Sequence, residues 1–222
     1  MTRMKIAAAL AIISVALYCL WAWAEDPQGR LFLGRFGAEG LAGWEEKAFE
    51  GSTSYSLSTD SEGRASLKAQ TDGGASGLFK EAKIDLTQTP FLNWSWKVEK
   101  VFEGLSEETR RGDDYPARVY VVFSGGLFFW QTRALNYVWA STSRKGASWP
   151  NAYTANARMV AVRSVEDPLG VWYSEKRNIR EDYRRFFGED VREAHAVAIM
   201  TDADQSGQKA VAWYGDIYLS KE

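Results

Sequence analysis

The sequence predicts an all-β fold, a two-sheet antiparallel, jelly-roll-like β-sandwich with one short helix at about 178–187. Three observations carry this prediction. Apolar and polar residues alternate in several short runs, Gly- and Asp-rich clusters punctuate those runs at short spacing, and one segment alone has a helical period. Many short strands with little helix between them are best buried as two packed sheets.

The first element in chain order stands outside the sandwich. Arg3 and Lys5 precede an uncharged run from Ile6 to Leu20, and Ala22-Trp23-Ala24 supplies the small-x-small pattern read by a signal peptidase. Residues 1–24 are therefore expected to be a cleaved signal helix, and 25–222 a single domain exported to the periplasm. The alternative is an uncleaved anchor in the inner membrane, since Ile6 to Ala24 approaches the ~20 apolar residues that span a bilayer. Cleavage would remove Cys19, the one cysteine, so the exported chain holds itself together without disulfides. It would also remove Arg3 and Lys5, leaving 25 basic against 29 acidic residues, a net charge of −4. A mildly acidic chain of this kind offers no electrostatic attraction to nucleic acid or, after signal cleavage, to an anionic membrane. No pattern specifies an oligomeric state.

In the exported part, Leu31–Phe36, Tyr55–Thr59, Ala65–Gln70 and Gly77–Ile84 are rich in strand formers, with turns at Gly37 to Gly43 and Thr71-Asp72-Gly73-Gly74. Leu92, Trp94, Trp96 and Val98 alternate with polar residues and are expected to face the core. Val119, Val121 and Phe123 share a face opposite Arg118 and Tyr120. Leu135, Tyr137 and Trp139 oppose Asn136 and Val138. Met159–Val165 is a further strand. In Ala194–Thr201, His195 falls in phase with Val197 and Ile199, which points it inward. At the C-terminus Val211, Trp213, Ile217 and Leu219 form one face, and Ala212, Tyr214, Asp216 and Tyr218 the other.

The helix is signalled by Asn178, an N-cap residue with Glu181 three positions on, then Ile179, Tyr183, Phe186 and Phe187 at helical spacing and Gly188 as a stop. Two long loops interrupt the strands. Glu103 to Pro116 is strongly charged, and Ser141 to Asn156 is polar and aromatic. Loops of this length on a rigid β scaffold are common places for function.

The chain resembles the family of exported bacterial proteins catalogued as domain of unknown function 3047. The resemblance rests on Gly43-Trp44, Ala75-Ser76-Gly77-Leu78-Phe79, Trp94-Ser95-Trp96-Lys97-Val98, Gly112-Asp113-Asp114-Tyr115, Arg118-Val119-Tyr120 and Leu135 to Trp139. It continues through Glu175-Lys176-Arg177-Asn178, Asp182-Tyr183, Phe187-Gly188, Thr201 to Asp204 and Tyr214 to Ile217. It implies a shared fold and export, and brings no activity and no catalytic residue.

Candidate chemistry is sparse. There is no His cluster, no nucleophile elbow and no phosphate loop, which argues against common hydrolases and nucleotide enzymes. No cofactor is expected, with one alternative. Asp202-Ala203-Asp204-Gln205-Ser206-Gly207 matches the first half of a calcium loop, but Trp213 stands where the closing Glu belongs, and a tight turn prefers the same residues. If calcium binds, Asp202 and Asp204 are the expected ligands, completed by a carboxylate from another loop. Asp113 and Asp114 are adjacent; one is expected to cap its loop and the other to pair with Arg118 or Arg177. His195 is expected to be structural.

Aromatic residues are the remaining signal. Trp94, Trp96, Trp139 and Trp213 are expected in the core, while Trp149, Tyr153, Tyr214 and Tyr218 are expected at the surface beside polar groups. Exposed rings next to Asn, Asp and Arg suit sugars, whose C–H faces stack while their hydroxyls hydrogen-bond. The residues expected to bind a ligand are therefore Asp113, Asp114, Arg118, Asn136, Trp149, Tyr153, Arg177 and Tyr214. The leading expectation is a non-catalytic periplasmic protein that binds a glycan or another small polar ligand. The alternatives are an enzyme modifying an envelope polysaccharide (a lyase or hydrolase) and an interaction subunit of an envelope assembly. Convergence of Asp114, Arg118, Asn136, Arg177 and Asp202 in one cleft would favour a site.

Overall fold

The computed structural model describes residues 26–124 and 132–222. The expected signal segment lies outside the described residues. Among the described residues, fourteen strands and two α-helices follow in the order β1 Leu31–Gly34, α1 Phe36–Glu39, β2 Glu45–Glu50, β3 Ser54–Thr59, β4 Ala65–Asp72, β5 Ala75–Asp85 and β6 Phe91–Val98. The chain continues with β7 Arg118–Phe123, β8 Arg133–Trp139, β9 Ser148–Pro150, β10 Ala157–Arg163, β11 Tyr173–Asn178, α2 Ile179–Phe187, β12 Glu193–Asp202, β13 Lys209–Tyr214 and β14 Ile217–Ser220. Among the described residues no helix is long and apolar enough to cross a membrane.

The strands form two seven-stranded sheets. The first runs β1-β14-β6-β13-β4-β3, with β11 along the other edge of β6; the second runs β2-β5-β12-β7-β8-β10-β9. The expected β-sandwich is what folds, with one departure from antiparallel order, because β10 pairs parallel to β8. A parallel pair needs a long return connection. The segment from Ser141 to Asn156 provides it and adds the short strand β9 antiparallel to β10 on the way. Strands β2, β9 and β11 carry no alternating signal. All six residues of β2 are exposed on a sheet edge, where neither face has to be apolar.

The two inner faces share one core. Leu92, Trp94, Trp96 and Val98 from β6 meet Leu135, Tyr137 and Trp139 from β8 and Val119, Val121 and Phe123 from β7. Trp94 stacks on Tyr137 with ring centroids 5.3 Å apart, and Trp96 lies 5.9 Å from Trp139. Each large ring removes on the order of 150–250 Å² from water, which suits a chain expected to have no disulfide. Helix α2 closes one end of this core through Ile179 and Tyr183, with Phe186 and Phe187 packed beside them. Its start and stop are those expected: the Asn178 side chain accepts from the Glu181 N–H at 3.1 Å, and Gly188 ends it at φ 74°. Asn178→Ala should lower stability by about 1 kcal/mol, measured by urea denaturation; an unchanged midpoint would show that the cap contributes nothing.

Two phase expectations are corrected. His195 does not face the core. The register between β12 and β5 shifts between Ala194 and Ala196, so a bulge restarts the alternation. Ala194, Val197 and Ile199 go inward, while the partly exposed His195 accepts through Nδ1 from the Ser124 N–H at 3.1 Å. The second break falls between β13 and β14. Gly215 and Asp216 separate them, so Ala212 and Tyr214 point inward along with Ile217 and Leu219. Tyr214, expected at the surface, is fully buried. Trp213, expected in the core, is half-buried on the outer face between Lys68 and Lys97, with ammonium–ring distances of 5.8 and 4.4 Å. Tyr218 is half-buried against Phe32.

Candidate functional site

The outer face of the second sheet carries the residues that alternation excludes from the core. On β7 these are Arg118 and Tyr120, on β8 Ala134 and Asn136, and on β12 Met200 and Asp202. Strand pairing sets them in rows: Met200 opposite Arg118, and Asn136 opposite Tyr120. The two long loops and the turn after β12 rise around this face and enclose a cavity of about 470 Å³. Phe49, Tyr120, Tyr153 and Met200 supply its apolar and aromatic lining, and Ala75, Ala134 and Ala157 leave space by their small size. Polar groups reach it from Asp113, Arg118, Asn136, Asn151, Asp202, Asp204 and Gln205.

Arg118 is the hub. Its Nε donates to Asp202 Oδ1 at 2.7 Å and its Nη2 to Asp202 Oδ2 and to the Asp113 carbonyl. Nη1 lies 3.6 Å from the Asp113 carboxylate. The guanidinium also sits over the Tyr115 ring at 4.4 Å, and Tyr115 stacks on Trp149. Burial works against the Arg118 cation, yet the adjoining carboxylates hold its pKa well above the ordinary value. Burial also pushes the Asp202 carboxyl up to about 8, against the pull of Arg118, with the charges of Asp114 and Asp113 adding to the rise. Asp204 is shifted up by burial and by Asp114.

Of the neighbouring acids, one pairs with Arg118, and the other, expected to cap its own loop, caps a different turn. Asp113 pairs with Arg118 and accepts from the Asn151 amide at 3.2 Å on both oxygens. Asp114 caps the turn after β12, accepting from the backbone N–H groups of Gln205 and Ser206 at 3.2 and 2.6 Å. Asp114, Asp202 and Asp204 thereby bring carboxylate oxygens within 4.8 Å of one another. Asp114 comes from a different loop than the other two, and each of the three already accepts a protein hydrogen bond.

Four of the eight expected ligand-binding residues line the cavity: Asp113, Arg118, Asn136 and Tyr153, the last 50% exposed. Asp114 stands beside it in the acid cluster. Trp149 is corrected: it is buried beneath the loops with Tyr115, Val138 and Met159 rather than exposed. Its strand β9 is held against β10, which turns the indole inward. Arg177 is elsewhere. It belongs to β11 of the first sheet, pairs with Asp182 of α2 at 2.5 Å and lies over the Tyr137 ring at 5.6 Å. Tyr214 lies under the site and donates to the Met200 carbonyl at 2.6 Å. Of the five residues whose convergence would favour a site, Arg118, Asn136 and Asp202 line the cavity, Asp114 stands beside it and Arg177 lies elsewhere.

Tyr120, Asn151, Met200, Gln205 and Phe49 were missed. Tyr120 had a visible signal, since it shares the outward phase of Arg118. Phe49 had none, because β2 shows no alternation. A wider cavity of about 730 Å³ lies at the first sheet, with Arg35, Arg64, Lys176 and Asp216 in its lining.

With the geometry in place, a family model for a protein of unknown function, DUF3047, matches residues 42–218. The chain belongs to the DUF3047 family. The match covers both sheets except for β1 and the end of β14, and so includes every residue of the DUF3047 cavity. No curated protein matches the chain in sequence. Among solved structures it is similar to a family 11 carbohydrate-binding module from Clostridium thermocellum in complex with a beta-1,3-1,4-mixed-linked tetrasaccharide. The identity is 10%, the TM-score 0.45, and 88% of this chain and 97% of that one are covered. A family 30 carbohydrate-binding module of a cellulosomal cellulase from Clostridium thermocellum is similar at 13% identity and TM-score 0.41, over 80% of this chain and 91% of that one. A beta-1,2-glucanase from Parabacteroides distasonis is similar at 10% identity and TM-score 0.43, over 80% of this chain and 23% of the enzyme.

Proposed function

We propose that this DUF3047 protein is exported to the periplasm and there binds a glycan or another small polar ligand, without converting it, in the cavity on the second sheet. One observation carries the reading. Asn136, only 2% exposed, lines the cavity opposite Tyr120 in the strand pairing, and its buried Oδ1 has no hydrogen-bond partner. A buried acceptor left open costs about 1–3 kcal/mol, which a ligand hydroxyl or N–H would recover. Aromatic walls with a few converging polar groups are the usual make-up of a small-molecule site.

The test is a glycan array followed by calorimetry on the hits. Tyr120→Ala and Asn136→Leu should each weaken binding by at least about tenfold, as expected for groups in direct contact. Arg64→Ala, in the wider cavity, should leave it unchanged. The reading fails if no glycan or polar ligand binds, or if Arg64→Ala abolishes binding and the other two do not. Trp149→Ala tests folding instead, since that ring is buried. Calcium is tested in parallel by thermal shift: a cation held by Asp114, Asp202 and Asp204 raises the melting temperature at millimolar calcium, and no shift removes it.

The alternative of a polysaccharide-modifying enzyme has one observation in its favour. A carboxyl raised to about 8, that of Asp202, lies in the same cavity as Tyr120 and Arg118, and general acids are tuned in this direction. Polysaccharide turnover that disappears in Asp202→Asn but survives in a comparably folded Asp114→Asn would establish it.

A further inference from the structure

We infer that the ligand carries positive charge: the cavity selects a polyol bearing ammonium groups, such as an oligosaccharide of glucosamine whose nitrogens are not acetylated. The inference rests on the glycan reading above and narrows it.

The charges of the lining come first. Glu50, Asp113, Asp202 and Asp204 line the cavity, and Arg118 is the one basic residue among the described residues that do so. Arg118 has little to offer a ligand. Its Nε and Nη2 are turned to Asp202 and the Asp113 carbonyl, and Nη1 faces the Asp113 carboxylate. Three other donors are similarly engaged. The Asn151 amide goes to Asp113, the Gln205 amide to Asp204 and the Tyr120 hydroxyl to Met200 Sδ at 3.3 Å. The Asn136 amide is left to meet a ligand, with either its oxygen or its N–H groups. A cavity with net negative charge, whose one base is committed, favours a cation, and its low-dielectric walls strengthen that preference.

Two further observations point the same way. The oxygens of Asp114, Asp202 and Asp204 crowd within 4.8 Å of one another. An ammonium group beside them offsets the repulsion between neighbouring carboxylates. The rings of Tyr120 and Phe49 belong to the lining, and aromatic faces attract cations; the Tyr153 ring already carries Arg110 at 5.1 Å. A uronate or sulfated sugar would instead set its anions against these carboxylates with no uncommitted base to meet them.

The experiment is calorimetry on the full exported protein at pH 7 and low salt, with three probes: the glucosamine tetramer, its fully N-acetylated counterpart and a galacturonate tetramer. The free-amine tetramer should bind at least about tenfold more tightly than the acetylated one, the preference shrinking at high salt, as expected of charge complementarity. Asp204→Asn, a half-buried position where loss of fold is not expected, should bring the ratio of the two affinities to within about threefold. Equal or tighter binding of the acetylated or the galacturonate tetramer overturns the charge inference and leaves glycan binding standing. So does failure of all three probes when a different neutral glycan from the array binds in a Tyr120-dependent way. If neither these probes nor any array glycan binds, both readings fall.

Discussion

Replacing Arg118 by Met is expected to destabilise the protein by about 3–5 kcal/mol, the loss typical when one partner of a buried ion pair is removed. Arg118 is 4% exposed and Asp202 1% exposed, so water cannot take over the missing contacts. The Met side chain replaces the aliphatic stem over Tyr115 but removes the cation from beside the Asp202 and Asp113 carboxylates and leaves the Asp113 carbonyl without the Arg118 donor. The loss also acquires a pH dependence of known sign. The folded-state pKa of Asp202 already lies above its ordinary 3.8, because burial outweighs Arg118. Such a group contributes stability that is full below the unfolded pKa and is lost as pH rises through the folded value. Without Arg118 the main influence lowering that pKa is gone, so the folded state holds its proton over a wider range. The deficit of Arg118→Met should therefore be larger at pH 9 than at pH 5. Adding Asp202→Asn should recover part of it at pH 9, since the Asp202 carboxyl, whose ionisation is the costly step, is then absent. Urea denaturation of the three proteins at both pH values measures this. A deficit under about 1 kcal/mol at both, typical of surface pairs, would sink the account.

Glu107→Ala is expected to cost about 3 kcal/mol or more and to loosen the cavity at the same time. The Glu107 side chain, on a residue 2% exposed, accepts from the Ser141 N–H, from the Thr142 hydroxyl at 3.0 Å and from the Ser143 N–H at 2.8 Å. Hydrogen bonds to a charged acceptor contribute about 1.5–3 kcal/mol each and do not add fully. The contact ties the charged loop 103–116 to the start of the loop after β8. A second strap runs beside it, from the Phe102 N–H to Ser141 Oγ at 3.0 Å. Both loops supply cavity residues, Asp113 from one and Asn151 and Tyr153 from the other. Glu107→Ala should therefore raise amide hydrogen exchange in 103–116 and 141–156 before the β-sheets open, and weaken ligand binding with it. Glu107→Gln keeps an acceptor and should lose less. Protection in the two loops equal to that of the unmodified protein would show that the strap does not hold them.

The strands that built the core were legible because their constraint is local. In β6, β7 and β8 every second side chain enters the same apolar layer, so alternation alone placed Trp94, Val121 and Tyr137 inward and Arg118 and Asn136 outward. The helix was legible for a similar reason: an Asn cap, a Gly stop and the apolar spacing between them act within ten residues. Phase failed where a backbone irregularity intervened. The bulge at His195 and the break at Gly215–Asp216 each shift the alternation by one residue, and one residue reverses the face. No residue preference announced either shift. β2 was illegible because an edge strand exposed on both faces is under no pressure to alternate.

The sequence by itself determined that the chain makes a sandwich with an aromatic core and a short capped helix, and it named most of the polar residues that matter. It also assigned membership, through blocks spread over residues 42–218. Only the tertiary structure decided which of those residues meet. Asp114 and Asp204 are ninety positions apart, and Arg118 joins Asp202 across two strands, because pairing of β12 with β7 sets Met200 opposite Arg118. Arg177, equally polar and as well placed in the pattern, went to the first sheet and the helix. Trp149 was drawn under the loops by the return from β8 to β10. Alternation acts between neighbours in sequence, whereas a binding site is set by strand order and loop closure, which join residues far apart in the chain.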